Sequence, residues 1–211
     1  MKSMRIVSRA FAAAALIAAT ISCGNVVRSS RAPVMLVINN LQATRGAATV
    51  GQPGSNLVSD VFTLVTSGGV CTQAAPCPTI FADTGLVTLS IALKDIGITN
   101  AATATSNNQV TINRVHVSYR RTDGRNQEGV DVPYGYDTAS TGTVPAGGNL
   151  QLGFVIVRSQ AKESSPLIQL RTNFQIISAI IDVTLYGTDI VGNEVSVTGS
   201  IGVDFANFGD Q

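Results

Sequence analysis

Three cysteines, one histidine and a scatter of aspartates are the side chains in this chain with the most chemistry open to them. Cys71 and Cys77 share the loop Gly68-Gly69-Val70-Cys71-Thr72-Gln73-Ala74-Ala75-Pro76-Cys77-Pro78, while Cys23 stands alone upstream. The spacing of Cys71 and Cys77 does not make the C-x-x-C of a redox site. The only histidine, His116, is too remote in sequence to give a zinc pattern. A structural disulfide within this Gly- and Pro-containing excursion is the favoured use of the pair, with a redox or metal role as the competing one.

His116 gives little to catalysis. A hydrolytic triad needs a base beside its nucleophile, and no Gly-x-Ser-x-Gly elbow surrounds any serine. No P-loop or dinucleotide fingerprint is present, so no catalytic residue and no cofactor is expected. Paired carboxylates would suit a glycosidase, but aromatic residues are 5% and tryptophan is absent, which leaves few platforms for sugar. Asp131, Asp137, Asp182, Asp189, Asp204 and Asp210 are oxygen donors without EF-hand spacing, so no metal site is expected. Asp189 and Asn193 are expected to shape a turn through their own side chains. The candidate binding loop is Asp131-Val132-Pro133-Tyr134-Gly135-Tyr136-Asp137, because tyrosine offers an apolar body with a polar tip. Tyr134 and Tyr136 would otherwise pack over the edge of the fold.

Charge excludes one class of partner. Lys2, Arg5 and Arg9 take three of the 14 basic residues, and the first 22 positions hold none of the 13 acids. What remains without them is weakly acidic, so nucleic acid is not an expected partner. Arg114, Arg120, Arg121 and Arg125 cluster, but Asp123, Glu128 and Asp131 interrupt them, as in a solvated hairpin tip.

The elements that carry these residues begin with a leader. Met1–Arg9 is basic, and Ala10–Ile21 is apolar, uncharged and too short for the about 20 residues of a membrane-crossing helix. That pattern is a secretory signal over residues 1–22. Its end, Thr20-Ile21-Ser22-Cys23, resembles the lipobox of bacterial lipoproteins, in which a small residue precedes a cysteine that is acylated and becomes the new N-terminus. Thr20 departs from the leucine usual in that family. The resemblance covers the first 23 residues and implies lipidation at Cys23, followed by a polar tether over 23–32. Gly24 stands where an inner-membrane retention signal would have aspartate. The resemblance therefore implies an outer-membrane or surface location, with the periplasmic side as the other option. Acylation of Cys23 would also account for the odd cysteine and leave Cys71 and Cys77 to each other.

From residue 33 to 211 the hydrophobic period is two. Val87, Leu89, Ile91 and Leu93 mark one face of a run whose other face carries Thr88, Ser90 and Lys94, and Leu150 to Ile156, Ile177 to Leu185 and Val195 to Phe205 repeat the alternation. Val34–Leu41, Leu57–Thr66 and Leu167–Thr172 are weaker runs. Between Val110 and Tyr119 the phase slips by one, which predicts a β-bulge near Asn113–Arg114 and turns His116 away from the core. Asp123-Gly124 signals a tight turn. Asp189-Ile190-Val191-Gly192-Asn193 resembles the turn of the final hairpin in bacterial immunoglobulin-like and fibronectin-like domains, over Ile181 to Phe205. The expected fold is all-β: a single antiparallel β-sandwich, immunoglobulin-like, of about seven to nine strands. No amphipathic helix is evident after residue 32. Such a chain is expected to be a lipid-tethered envelope protein with a non-catalytic structural or adhesive role. It would meet the membrane through its lipid and an envelope protein or glycan through its loops. A ligand- or glycan-binding accessory lipoprotein and an unfamiliar enzyme are the alternatives.

Overall fold

The structure is a computed structural model that describes residues 31–49, 51–94 and 104–209. The leader and Cys23 lie outside the described residues. Along the chain run β1 (Val34–Thr44), β2 (Asn56–Asp60), β3 (Thr63–Val65), β4 (Cys77–Thr79), β5 (Asp83–Leu93) and β6 (Val110–Arg121). They are followed by β7 (Tyr136–Thr138), β8 (Gly142–Val144), β9 (Leu150–Val157), β10 (Ile177–Asp189) and β11 (Glu194–Ala206). Among the described residues, the short helix α1 (Ser159–Lys162) and 3-10 turns at Ser106–Asn108 and Leu167–Arg171 interrupt the strands. The protein is mostly β, as the alternation requires.

The strands form one sheet in the order β1-β5-β9 and a larger one in the order β2-β11-β10-β6-β7, with β8 also on β6. β3 and β4 make a separate ribbon. Apolar side chains from the two larger sheets share one core. Leu36, Val87, Leu89 and Ile156 come from the first, and Ile112, Val117, Ile181, Leu185 and Phe205 from the second. Removing each such side chain from water contributes about 1.5–3 kcal/mol before chain entropy is charged against it.

The sheets are tied together at both margins. Ala43 and Gly54 exchange backbone hydrogen bonds of 2.9 and 2.8 Å where the chain passes from β1 towards β2. At the other margin Tyr136 Oη donates to Val155 O (2.8 Å) and Ser140 Oγ to Gly153 O (3.0 Å), joining the β7–β8 region to the outer edge of β9. The result is a curled half-barrel.

The phase slip in β6 is a bulge. Arg114 pairs with Tyr186 but Ile112 with Gly187, so Asn113 is the extra residue. Val110, Ile112, Val115 and Val117 are all fully buried on either side of it. Gly187 is required opposite the bulge, because a Cβ there would lie 2.7 Å from Thr111 O.

Several expectations need correction. There are eleven strands among the described residues, because the short pairs β3–β4 and β7–β8 add to the long ones. The sheets are not wholly antiparallel. β2 runs parallel to β11 over Asn56–Asp60, since the chain changes sheets after β1 and meets the free edge of β11 from the other side. The run Leu57–Thr66 is broken at Val61–Phe62, where Asp60 Oδ1 accepts from Phe62 N (3.3 Å) and turns the backbone. Leu167–Thr172 is no strand. Leu167 and Leu170 are buried three residues apart, the spacing that a 3-10 turn stacks on one face. α1 went unseen because a single turn has no periodicity to read.

Candidate functional site

At one end of the half-barrel, β5, β2, α1 and the loop after β1 bring four polar groups together beneath the solvent-accessible surface. Asp83, the first residue of β5, and Lys162, the last of α1, are both 0% exposed, with Nζ 2.9 Å from Oδ1. Gly46 N donates to the same oxygen (2.8 Å) and Ser59 Oγ to Oδ2 (2.6 Å). Asp83 faces inward because it continues the apolar phase of Val87 and Leu89 back to the strand's start. Lys162 is carried in by α1, whose position is held from outside by the buried Leu167 and Leu170 and by Arg171 Nη2, which reaches Lys162 O at 3.5 Å. Burial pushes the Asp83 carboxyl up, and the Lys162 charge and the bonds from Ser59 and Gly46 offset this only in part. Burial likewise pushes the Lys162 amine down, against the pull of Asp83 and Asp60.

Asp60 lies beside this group on β2 and is 3% exposed; Phe62 N and Phe208 N both donate to its Oδ1 at 3.3 Å. Outside it is a hollow of about 230 Å³ with Arg45, Asp60 and Thr63 on its wall.

A second, wider cleft of about 420 Å³ opens beside α1, walled by Tyr136, Asp137, Thr138, Arg158, Ser159 and Gln160. Its floor is the Tyr136 ring, over which the Arg158 guanidinium lies at 3.9 Å. Asp137 on the rim is engaged by His116 Nδ1 (3.0 Å) and Arg114 Nη1 (3.4 Å). Arg158 is exposed and forms no ion pair with a carboxylate among the described residues. Behind Tyr136, the Tyr119 hydroxyl donates to Ile156 O (2.8 Å) and so connects the two sheets through the core. Burial, then the neighbouring Tyr136 and Asp83, drive the Tyr119 phenol well above its ordinary value. Burial pushes Tyr136 up to about 12, with Arg158 opposing.

The sequence-predicted residues are distributed around this end rather than gathered in it. Cys71 and Cys77 form a disulfide with Cα atoms 5.3 Å apart, which ties the start of β4 to the loop that joins it to β3. Tyr136 is buried, so it belongs to the edge packing and lines the cleft with one face. Tyr134 is 59% exposed and packs over Gly129. His116 points outward, as its strand phase requires, and its partner is Asp137. The arginine cluster is spent on neighbours: Arg120 on Asp182, Arg121 and Arg125 on Asp123, Arg114 on Asp137 and the Tyr186 ring. Asp189 accepts from Val191 N (3.0 Å), Asn193 N (2.8 Å) and Asn193 Nδ2 (2.8 Å), shaping the last hairpin turn together with Gly192 at φ +88°. Among the described residues no three His, Cys, Asp or Glu side chains converge as metal ligands.

Asp83, Lys162, Ser59 and Arg158 were not singled out by sequence reasoning. Only Asp83 left a trace there, as a carboxylate on the inward phase of a strand. No protein-family model and no curated protein matches the chain.

Proposed function

We propose that this is an exported, lipid-anchored cell-envelope protein whose β domain has a non-catalytic structural or adhesive role. The observation that carries the reading is the Cys71–Cys77 disulfide. It consumes two of the three cysteines and leaves Cys23, at the end of a secretory leader, as the thiol available for acylation. A disulfide also fits an oxidising compartment rather than a reducing one. Closure at both margins suits a module that bears load or presents loops. The domain is best understood as a modified immunoglobulin-like sandwich. β1-β5-β9 correspond to strands A, B and E, and β11-β10-β6 to G, F and C, with β7 and β8 added beyond C.

The test is localisation. Cys23→Ala should give full-length, unlipidated protein that no longer sediments with membranes, whereas wild type incorporates radiolabelled palmitate and does sediment. A Cys23→Ala chain that stays in the membrane fraction would remove the anchor from the reading.

One observation favours a ligand-binding accessory role as the second reading. The Arg158 guanidinium is pre-positioned on Tyr136, with no carboxylate partner among the described residues, beside the Ser159 hydroxyl and the Gln160 amide. That arrangement suits the two-point recognition of a carboxylate. In a titration followed by NMR, glucuronate should perturb Tyr136, Arg158 and Gln160, and glucose should not. Arg158→Gln should weaken the effect by about tenfold or more, the worth of one charge-assisted pair. Equal responses to the acid and the neutral sugar would end this second reading.

A further inference from the structure

We propose that Lys162 and Asp83 condense into an intramolecular amide, a covalent bond between α1 and β5. The proposal rests on the geometry of the pair and is independent of where the protein resides. The amine and the carboxyl are in contact at 2.9 Å, both are wholly excluded from water, and neither can swing away without unpacking the end of the half-barrel. Holding two reactive groups so confined replaces a bimolecular encounter by a local one, with effective concentrations far above any in solution. Burial also keeps bulk solvent, which would drive the reverse hydrolysis, away from the bond.

The carboxyl is furnished for it on both oxygens. The Gly46 amide points at Oδ1, where negative charge grows as the carbon becomes tetrahedral. The Ser59 hydroxyl, 2.6 Å from Oδ2, is placed to pass a proton to the oxygen that leaves. Asp60, the next residue of β2, is close enough to act on the Lys162 charge. Burial moves both groups towards their neutral forms, which are the ones that react.

The step balances without any other reactant. One proton passes from the Lys162 ammonium to the Asp83 carboxylate, giving an amine and a carboxylic acid. The nitrogen lone pair attacks Asp83 Cγ and forms the C–N bond. The C–Oδ2 bond breaks, and that oxygen departs as water, carrying the acid proton and one proton from the nitrogen. Nothing is oxidised or reduced.

The test is a peptide map of the wild-type protein after reduction, alkylation and unfolding. A linked protein is lighter by the mass of one water, and trypsin cannot cut after Lys162. The map should then contain a branched species joining Gly46–Lys94 to Ser159–Arg171, with fragmentation placing the link at Asp83 and Lys162. Lys162→Arg keeps the cation but has no amine to condense, so its chain should have full mass and an unbranched map. The proposal is overturned if the wild-type peptides 46–94 and 159–162 are recovered separately and in full. It is also overturned if the branched species survives in Lys162→Arg. The wild-type measurement needs no variant to fold.

Discussion

Lys162→Met should destabilise the domain by about 3–5 kcal/mol at neutral pH, the cost of leaving a buried carboxylate without its cation. For a domain of this length that is a fall on the order of 10 °C in Tm. The methionine fills nearly the same volume, so packing changes little and the loss reports the charge. Ser59 and Gly46 would still donate to Asp83, but two hydrogen bonds do not replace a cation in a site closed to solvent. The pH dependence follows. Without Lys162 the Asp83 carboxyl is raised further above the 3.8 of the unfolded chain. A raised carboxyl favours folding while it is protonated, and that contribution is lost as pH climbs from 3.8 through the folded value. The deficit of Lys162→Met should therefore shrink as pH is lowered towards 4 and be fullest at 7. Adding Asp83→Leu should restore much of the stability, because replacing both members of a buried pair removes the stranded charge. Urea titrations of the two variants at two pH values decide it. A loss below about 1 kcal/mol at pH 7 would mean the pair is not what holds this end. Loss of a covalent amide would add to the expected deficit without changing its pH trend.

How much of this could be read from the residues depends on whether the signal is periodic. Val87, Leu89, Ile181, Val183 and Leu185 declare their strands, and the slip between Ile112 and Val115 declares the bulge, because alternation is imposed locally by the pleat. Asp189 and Asn193 declare their turn for a similar reason, since their bonds reach only two to four residues away. The parallel pairing of β2 with β11 joins residues near 58 to residues near 204 and left no such mark. The site is harder still. Ser59, Asp83 and Lys162 come from three elements, and Lys162 sits on a single helical turn whose residues look like those of any polar loop. Asp83 was the one legible member. Extending the inward phase of β5 back from Val87 through Gly85 reaches a carboxylate, and an inward carboxylate demands a buried partner. The sequence offers no means of choosing Lys162 over Lys94, or over the arginines, as that partner.

Phe205→Ala should cost about 3–5 kcal/mol, the usual range for emptying a phenylalanine site in a core that cannot collapse. Collapse is hindered here because β11 is held on both sides, by β10 along its length and by β2 at the very segment that carries Phe205. The ring is 0% exposed and its centroid lies 6.2 Å from that of Tyr119. Emptying the site therefore exposes one side of the Tyr119 phenol to the cavity. Tyr119 is held above its ordinary value first by burial. A phenol raised in the folded state supports folding below pH 10 and loses that support as pH rises through its folded value. With the cavity admitting water, that folded value should fall towards 10 in the variant. Its phenolate absorbance should then appear earlier in an alkaline titration than in wild type. Phe205→Leu keeps most of the volume, should cost under about 1.5 kcal/mol, and should leave the Tyr119 titration where it was. If Phe205→Ala lost stability without moving that titration, the cavity would be dry and the coupling between the two rings absent. The hydroxyl of Tyr119 would then remain bonded to Ile156 O, and the two sheets would stay joined there even in the weakened core.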